Sequence, residues 1–262
     1  MHEFPKWDLF GVKGFELDIS AILALLVSSI IVFVICRLAV RNLSVTNPSK
    51  MQNFLEWVVD FVRGLVASTQ DLKKGKVYVS LATTLIMFIF VSNLLGLPFL
   101  VTTEHHHPLQ WAGHDVISQS VIDKAIEKGD EEVSVSWWKS PTADISVTAA
   151  LALMVFIIIH VEGIRRNTKH YFAHFFKPYW FFFPLNLLET LAKPLTLALR
   201  LFANIFAGEV LISTILMAGW AGLPLMAAWQ GFSIFVGAIQ AFLFTILTMV
   251  YIAQTTVHEE GH

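Results

Sequence analysis

One cysteine, Cys36, stands among 262 residues. It excludes an internal disulfide, and no neighbouring base marks it as a catalytic thiol. Charge is also scarce. Charged residues make up 15% of the chain, with a formal net charge of -2, so no basic surface points to nucleic acid. There is no Gly-rich phosphate loop, and ATP chemistry is not expected here. No metal-ligand spacing and no cofactor motif stand out. The segment 1–6 lacks the n-region and cleavage site of a signal peptide, so insertion is expected to be driven by the spans themselves. No internal repeat and no soluble domain are visible.

What is abundant is apolar surface: 55% of residues are hydrophobic and 22 are phenylalanine. Several apolar runs approach or exceed the roughly 20 residues that cross a bilayer. The expected fold is an all-α polytopic membrane protein forming one membrane domain over 1–262. Its spans are 19–36, 77–100 and 142–161, followed by two longer helices, 185–217 and 226–257. The last two exceed a bilayer's apolar thickness of about 30 Å at about 1.5 Å per residue. They are expected to tilt strongly and to form a hairpin about Gly219, Gly222 and Pro224. Between the first two spans, 51–70 is amphipathic. Phe54, Leu55, Val58, Phe61, Val62 and Leu65 recur at helical spacing, which suits an interfacial helix or a partner contact.

Basic residues orient the chain. Residues 37–76 hold seven Lys or Arg, residues 162–180 hold four, and residues 101–140 hold three against seven acids. The positive-inside rule places 37–76 and 162–180 in the cytoplasm and the 101–140 loop outside. The N-terminus is then outside and the C-terminus inside.

The most informative residue is Arg200, which interrupts an otherwise apolar helix. A guanidinium at mid-membrane costs at least a few kcal/mol and does not deprotonate. It cannot relay protons, but it can repel cations and attract a carboxylate that has just lost its proton. At 100° per residue, Glu189, Lys193 and Asn204 fall within about 40° of Arg200 on one stripe. Glu209 falls near the opposite face. On the last helix Gln240 is the main polar interruption. It is a candidate to hold the Arg200 guanidinium, to order water, or simply to make a helix–helix hydrogen bond. No carboxylate partner for Arg200 is evident at its depth, which suggests one supplied by another subunit. Glu209 is a candidate proton relay, with an ordinary helix–helix contact as the alternative.

These segments carry a resemblance. The run from Pro194 through Arg200 and Asn204 to Gly208 and Glu209 closely resembles the signature of the a subunit of the F-type ATP synthase, with a Bacillus-like flavour. The run from Gln240 to Tyr251 fits that family's last helix, and Pro141 to Thr148 fits the segment entering the preceding span. The resemblance covers about Leu81 to Val257.

It implies the stationary half of a proton motor in the bacterial plasma membrane, without an ATP-hydrolysing site of its own. The implied partners are a ring of c subunits, the b-subunit peripheral stalk, the remainder of the F1Fo complex, membrane lipids and protons. Two offset half-channels would carry protons to and from the ring carboxyls. By the same resemblance, Arg200 would stand between the half-channels, with Gln240 beside it on the adjacent helix. Asn204 and Glu209 would lie near the proton path and Asp144 on its outside half. Many members carry a histidine or acid seven residues before the glutamine. Here Ser233 stands there and cannot titrate usefully, so a relay falls to Glu209, Asp144, Glu189 or water.

The competing reading is a stand-alone ion channel or secondary transporter. Paired repeats with broken helices would mark a transporter, and neither is visible. Residues 105–107 and 114 are histidines, but adjacent positions do not converge easily on one ion, and a hydrated outside loop is expected. His160 and Glu162 suit a cytoplasmic interface or a stalk contact. Trp137 and Trp138 suit an aromatic belt.

Overall fold

The structure, a computed structural model, describes residues 2–3, 6–8, 16–96, 102–105, 109–111, 114–117, 123, 126, 133–176, 179–217 and 219–256. Among the described residues seven helices carry the fold: α1 Ile19–Ala39, α2 Lys50–Thr69, the short α3 Leu72–Gly75, α4 Val79–Leu95, α5 Ile145–Phe175, α6 Phe183–Leu216 and α7 Leu223–Thr256. Among the described residues five stretches are long and apolar enough to cross a membrane: Ile19–Ala39, Lys76–Leu95, Ile145–Arg165, Trp180–Ile212 and Leu223–Thr255. The protein is thus an all-α polytopic membrane protein. A few strands of two to four residues pair near the N-terminus and in the segment before α5.

Helices suit this chain because hydrocarbon leaves no water for backbone amides, and a helix pairs them internally. Asp18 starts α1 by accepting from the Ala21 amide at 3.1 Å. Ser49 starts α2 in the same way through the Gln52 amide at 3.1 Å. Thr245 and Thr248 are fully buried on α7, and each hydroxyl donates to the carbonyl four residues back at 2.8 Å. Neither needs a partner from another helix.

α6 and α7 have 34 residues each, which is about 51 Å of helix against a roughly 30 Å apolar layer. The turn between them requires glycine twice. Gly219 has φ of 59°, and a Cβ on Gly222 would fall 2.4 Å from the Ile215 carbonyl. Pro194 sits inside α6 without ending it. Its missing N–H removes the bond that the Thr190 carbonyl would otherwise accept.

Two buried clusters hold the helices together. Val62 and Val66 of α2 meet Ala82 of α4 and Met249 and Ile252 of α7. Leu85 and Ile89 of α4 meet Ala152 and Val155 of α5, Leu197 and Leu201 of α6, and Ala241 and Phe244 of α7. In lipid the hydrophobic effect gives little force between helices, so close packing by small residues carries the association. Gly237 illustrates this: a Cβ there would lie 3.1 Å from Asn93 Cβ. The periodic residues of α2 divide. Val58, Val62 and Leu65 are buried, while Phe54, Trp57 and Phe61 are exposed, as an interfacial helix requires.

The helix ends sort into two faces. Asp18, Gly96, Asp144 and the α6–α7 turn bound the loop end, the side of the 101–140 segment. The segments rich in Lys and Arg, 37–76 and 162–180, bound the basic end.

Candidate functional site

Packing decides where Arg200 points. Leu197, Ala198 and Leu201 are buried against α5 and α7. The opposite face of α6 turns outward and carries Leu195, Leu199 and Phe206, all exposed; Arg200 is exposed as well, at the edge between that face and the buried one. Among the described residues no carboxylate pairs with Arg200. Gln240 is buried on α7, and its Nε2 donates to the Arg200 backbone carbonyl at 3.5 Å, a long contact. Its hydrogen bond is therefore not to the guanidinium, which the sequence had offered as one possibility. The carbonyl faces α7 while the residue lies at the edge of the outer face.

On the loop-end side of Arg200 a cavity of about 290 Å³ opens between α4, α6 and α7. Asn93, Asn204, Trp229 and Ser233 give it polar lining, and Gly208 forms part of its wall. Gly208 is not a close-packing site: nothing stands within 4 Å of where its Cβ would be. Asn204 Nδ2 and Trp229 Nε1 are buried without a hydrogen-bond partner. Two residues with orphaned donors thus line one cavity, mostly apolar in its walls and large enough for water. Asn93 makes two hydrogen bonds through its amide. Its Nδ2 donates to the Gly237 carbonyl at 3.0 Å, and its Oδ1 accepts from Thr142 Oγ1 at 2.6 Å. Glu209 continues the backbone of α6 past this cavity, but its side chain lies outside the described residues.

At the basic end, Lys193 gathers three neighbours. Its Nζ lies 3.1 Å from Glu189 Oε1, donates to Gln254 Oε1 at 3.3 Å, and sits 5.5 Å from the Tyr251 ring centre. Glu189 is largely exposed, at 65% of its side chain. Nearby, Tyr78 donates to Glu162 Oε2 at 3.0 Å. The His160 ring packs on Phe156 at 3.8 Å and meets Tyr171 edge-on at 5.9 Å. Both His160 and Glu162 thus make contacts within the chain.

Asp144 lies just before α5 and is not part of the cavity lining. Its Oδ2 is 2.7 Å from Lys139 Nζ and its Oδ1 accepts from the Ser146 amide at 2.7 Å. The residues at 105 and 114 are described only as strand backbone, and 106 and 107 lie outside the described residues.

The structure therefore splits the candidates into three groups: Arg200 with Gln240, Asn204 with the cavity, and Glu189 with Lys193. Asn93, Trp229 and Thr142 join the site although the sequence did not select them. Asn93 was visible as an amide inside an apolar span. Trp229 read as one more apolar residue, and only its unpaired Nε1 marks it.

The profile of the ATP synthase A chain family matches residues 22–253. ATP synthase subunit a of Anoxybacillus flavithermus is 45% identical over an alignment covering 98% of this chain and 99% of the relative. The Priestia megaterium subunit a is 44% identical, covering 96% of each chain. That of Bacillus subtilis is 41% identical, covering 94% of this chain and 95% of the relative. Arg200 and Gln240 stand at the contact between the two long helices, inside the matched region. The chain belongs to the family of subunit a of the bacterial F1Fo ATP synthase, a proton-transporting, non-catalytic membrane subunit akin to its Bacillus relatives.

Proposed function

We propose that this chain is the stator of the proton motor, with its α6 face against a ring of c subunits and Arg200 dividing two half-channels. The observation that carries the reading is Arg200 itself: an exposed guanidinium without a carboxylate partner among the described residues, at the edge of a face of exposed Leu195, Leu199 and Phe206. A permanent cation in that setting needs an anion from elsewhere, and a deprotonated ring carboxylate is one.

The cavity beside Asn204 and Ser233 serves as the outside half-channel. Water in it brings a proton from the loop end to the level of Arg200, where a ring carboxylate takes it. Glu209 relays along this side, and Asp144 belongs to its outer end. The inside half-channel leaves toward the basic end past Glu189 and Lys193. Gln240 ties α7 to the Arg200 turn and keeps the two long helices in register. A hydronium within about 8 Å of the guanidinium meets a repulsion of about 2 kcal/mol at an effective dielectric of about 20. That alone slows direct passage roughly thirtyfold. The N-terminus and the loop end face outside, and the C-terminus and basic end face the cytoplasm, where the b-subunit stalk joins.

The ring contact is testable by cross-linking. In a Cys36→Ser background, Leu199→Cys sits on the proposed face, one residue from Arg200. It should form a disulfide with a cysteine placed one turn from the ring carboxyl in the assembled complex. A cysteine replacing Ala152, buried between α4, α6 and α7, should not. Failure of the 199 pair in an assembled complex would place the ring elsewhere.

A further inference from the structure

Lys139 is the only cation among the described residues that pairs with two carboxylates at once. Its Nζ lies 2.5 Å from Asp18 Oδ2 and 2.7 Å from Asp144 Oδ2. All three side chains are shielded, with 7%, 17% and 15% exposure for Lys139, Asp18 and Asp144. Each carboxylate has a second task. Asp18 Oδ1 accepts from the Ala21 amide at the start of α1. Asp144 Oδ1 accepts from the Ser146 amide at the start of α5. One ammonium therefore ties together the N-terminal ends of two helices distant in sequence.

The next residues carry the tie inward. Ser140 Oγ lies 3.0 Å from the Ser92 carbonyl and 2.7 Å from Thr142 Oγ1. Thr142 donates its proton to Asn93 Oδ1, so the proton in the Ser140–Thr142 contact is Ser140's, and that single proton serves either Thr142 or the Ser92 carbonyl at one time. Asn93 in turn donates to the Gly237 carbonyl and lines the cavity. Ser140, Thr142 and Asn93 are all buried. The path runs without a break from a charged cluster at the loop end to the wall of the cavity.

We propose that Lys139 is a positioning residue, which with Asp18 and Asp144 clamps the 140–143 turn so that Thr142 fixes the Asn93 amide in the wall of the outside half-channel. Asp144 then acts through its charge on Lys139 and its cap on α5, rather than by passing protons. The inference rests on the proposed half-channel reading. The three charges form one unit. Removing only the lysine strands two shielded carboxylates, which is costly, whereas neutralising all three together leaves neither carboxylate charged without its ammonium. Asn at 18 and 144 retains the oxygen that caps each helix.

The test uses the whole reconstituted complex, compared at equal assembled amount. The variants are Lys139→Met and the triple Asp18→Asn, Lys139→Met, Asp144→Asn. ATP-driven proton pumping is read in both. The labelling rate of Ser233→Cys by a water-soluble maleimide, in a Cys36→Ser background, is read beside it. Lys139→Met should lower pumping about tenfold or fail to assemble, and any assembled complex should change its labelling at 233. The triple variant should assemble, pump within roughly threefold of the parent, and label at the parent's rate. A triple variant that assembles without pumping would overturn the clamp and return a proton-passing role to Asp144. Failure of the triple variant to assemble would overturn it as well, as would normal pumping and labelling in Lys139→Met. If Arg200→Ala pumps normally in the same series, the half-channel reading itself fails, whatever the triple variant does.

Discussion

Asn204→Leu isolates the role of water in the cavity. Leucine keeps the side chain's approximate bulk, so α6 should still pack against α7. What is lost is a buried Nδ2 that has no protein partner, on a residue that lines a cavity of about 290 Å³. At about 30 Å³ per water, that volume corresponds to roughly ten waters. The polar wall consists mainly of Asn93, Asn204, Trp229 and Ser233, and Asn93 already spends its amide on Gly237 and Thr142. Asn204 is thus one of few groups left to order water next to Arg200, four residues away. Losing one hydrogen bond of about 1–1.5 kcal/mol from the water path should slow proton delivery about five- to tenfold. ATP-driven pumping in inverted vesicles and ATP synthesis under an imposed proton gradient should fall together, because both use this half-channel. Asn204→Ser keeps a donor and should recover most of the rate. Pumping at the parental rate by assembled Asn204→Leu would refute the argument, because the cavity would then carry protons without this group.

Three further outcomes follow from the packing. A Cβ at Gly96 would fall 2.4 Å from Ser140 Cβ, so Gly96→Ala should destabilise the subunit by about 1–3 kcal/mol, seen as reduced recovery of intact complex from detergent. Gln240→Leu breaks only a 3.5 Å bond to a carbonyl, worth about 0.6 kcal/mol in a membrane protein. Its complex should assemble normally, and the pumping defect should be well below that of Arg200→Ala when both are measured per assembled complex. Tyr78→Phe removes the 3.0 Å bond to Glu162 and should cost about 0.5–1.5 kcal/mol. Its thermal unfolding midpoint should fall slightly while pumping stays near the parental rate.

The residues that were legible in the sequence were those whose cost shows in one dimension. A charged Arg200 or an amide at Gln240 stands out because its neighbours are all apolar. The hairpin turn was legible for a similar reason: Gly219 and Gly222 mark a backbone that other residues cannot follow. The cavity was not legible, because it is made by what three helices leave empty. Gly208 has open space where its Cβ would be, and the buried indole nitrogen of Trp229 has no mark in a run of apolar residues. Lys139 and Asp18 are 121 positions apart, and each reads alone as an ordinary charge at a span end. Only the fold makes them one unit with Asp144. The amphipathic α2 was half legible: its helical period was plain, but the split between buried Val58, Val62 and Leu65 and exposed Phe54, Trp57 and Phe61 depends on where α4 and α7 lie.

The central claim is that Arg200 couples proton movement to the ring and blocks a direct leak. The direct measurement is ATP-driven pumping and passive proton flux in the same vesicles carrying assembled Arg200→Ala complex. The account predicts loss of coupled pumping together with a raised passive flux, roughly thirtyfold if the guanidinium's repulsion of about 2 kcal/mol is the barrier. Normal coupled pumping with no added leak would contradict it.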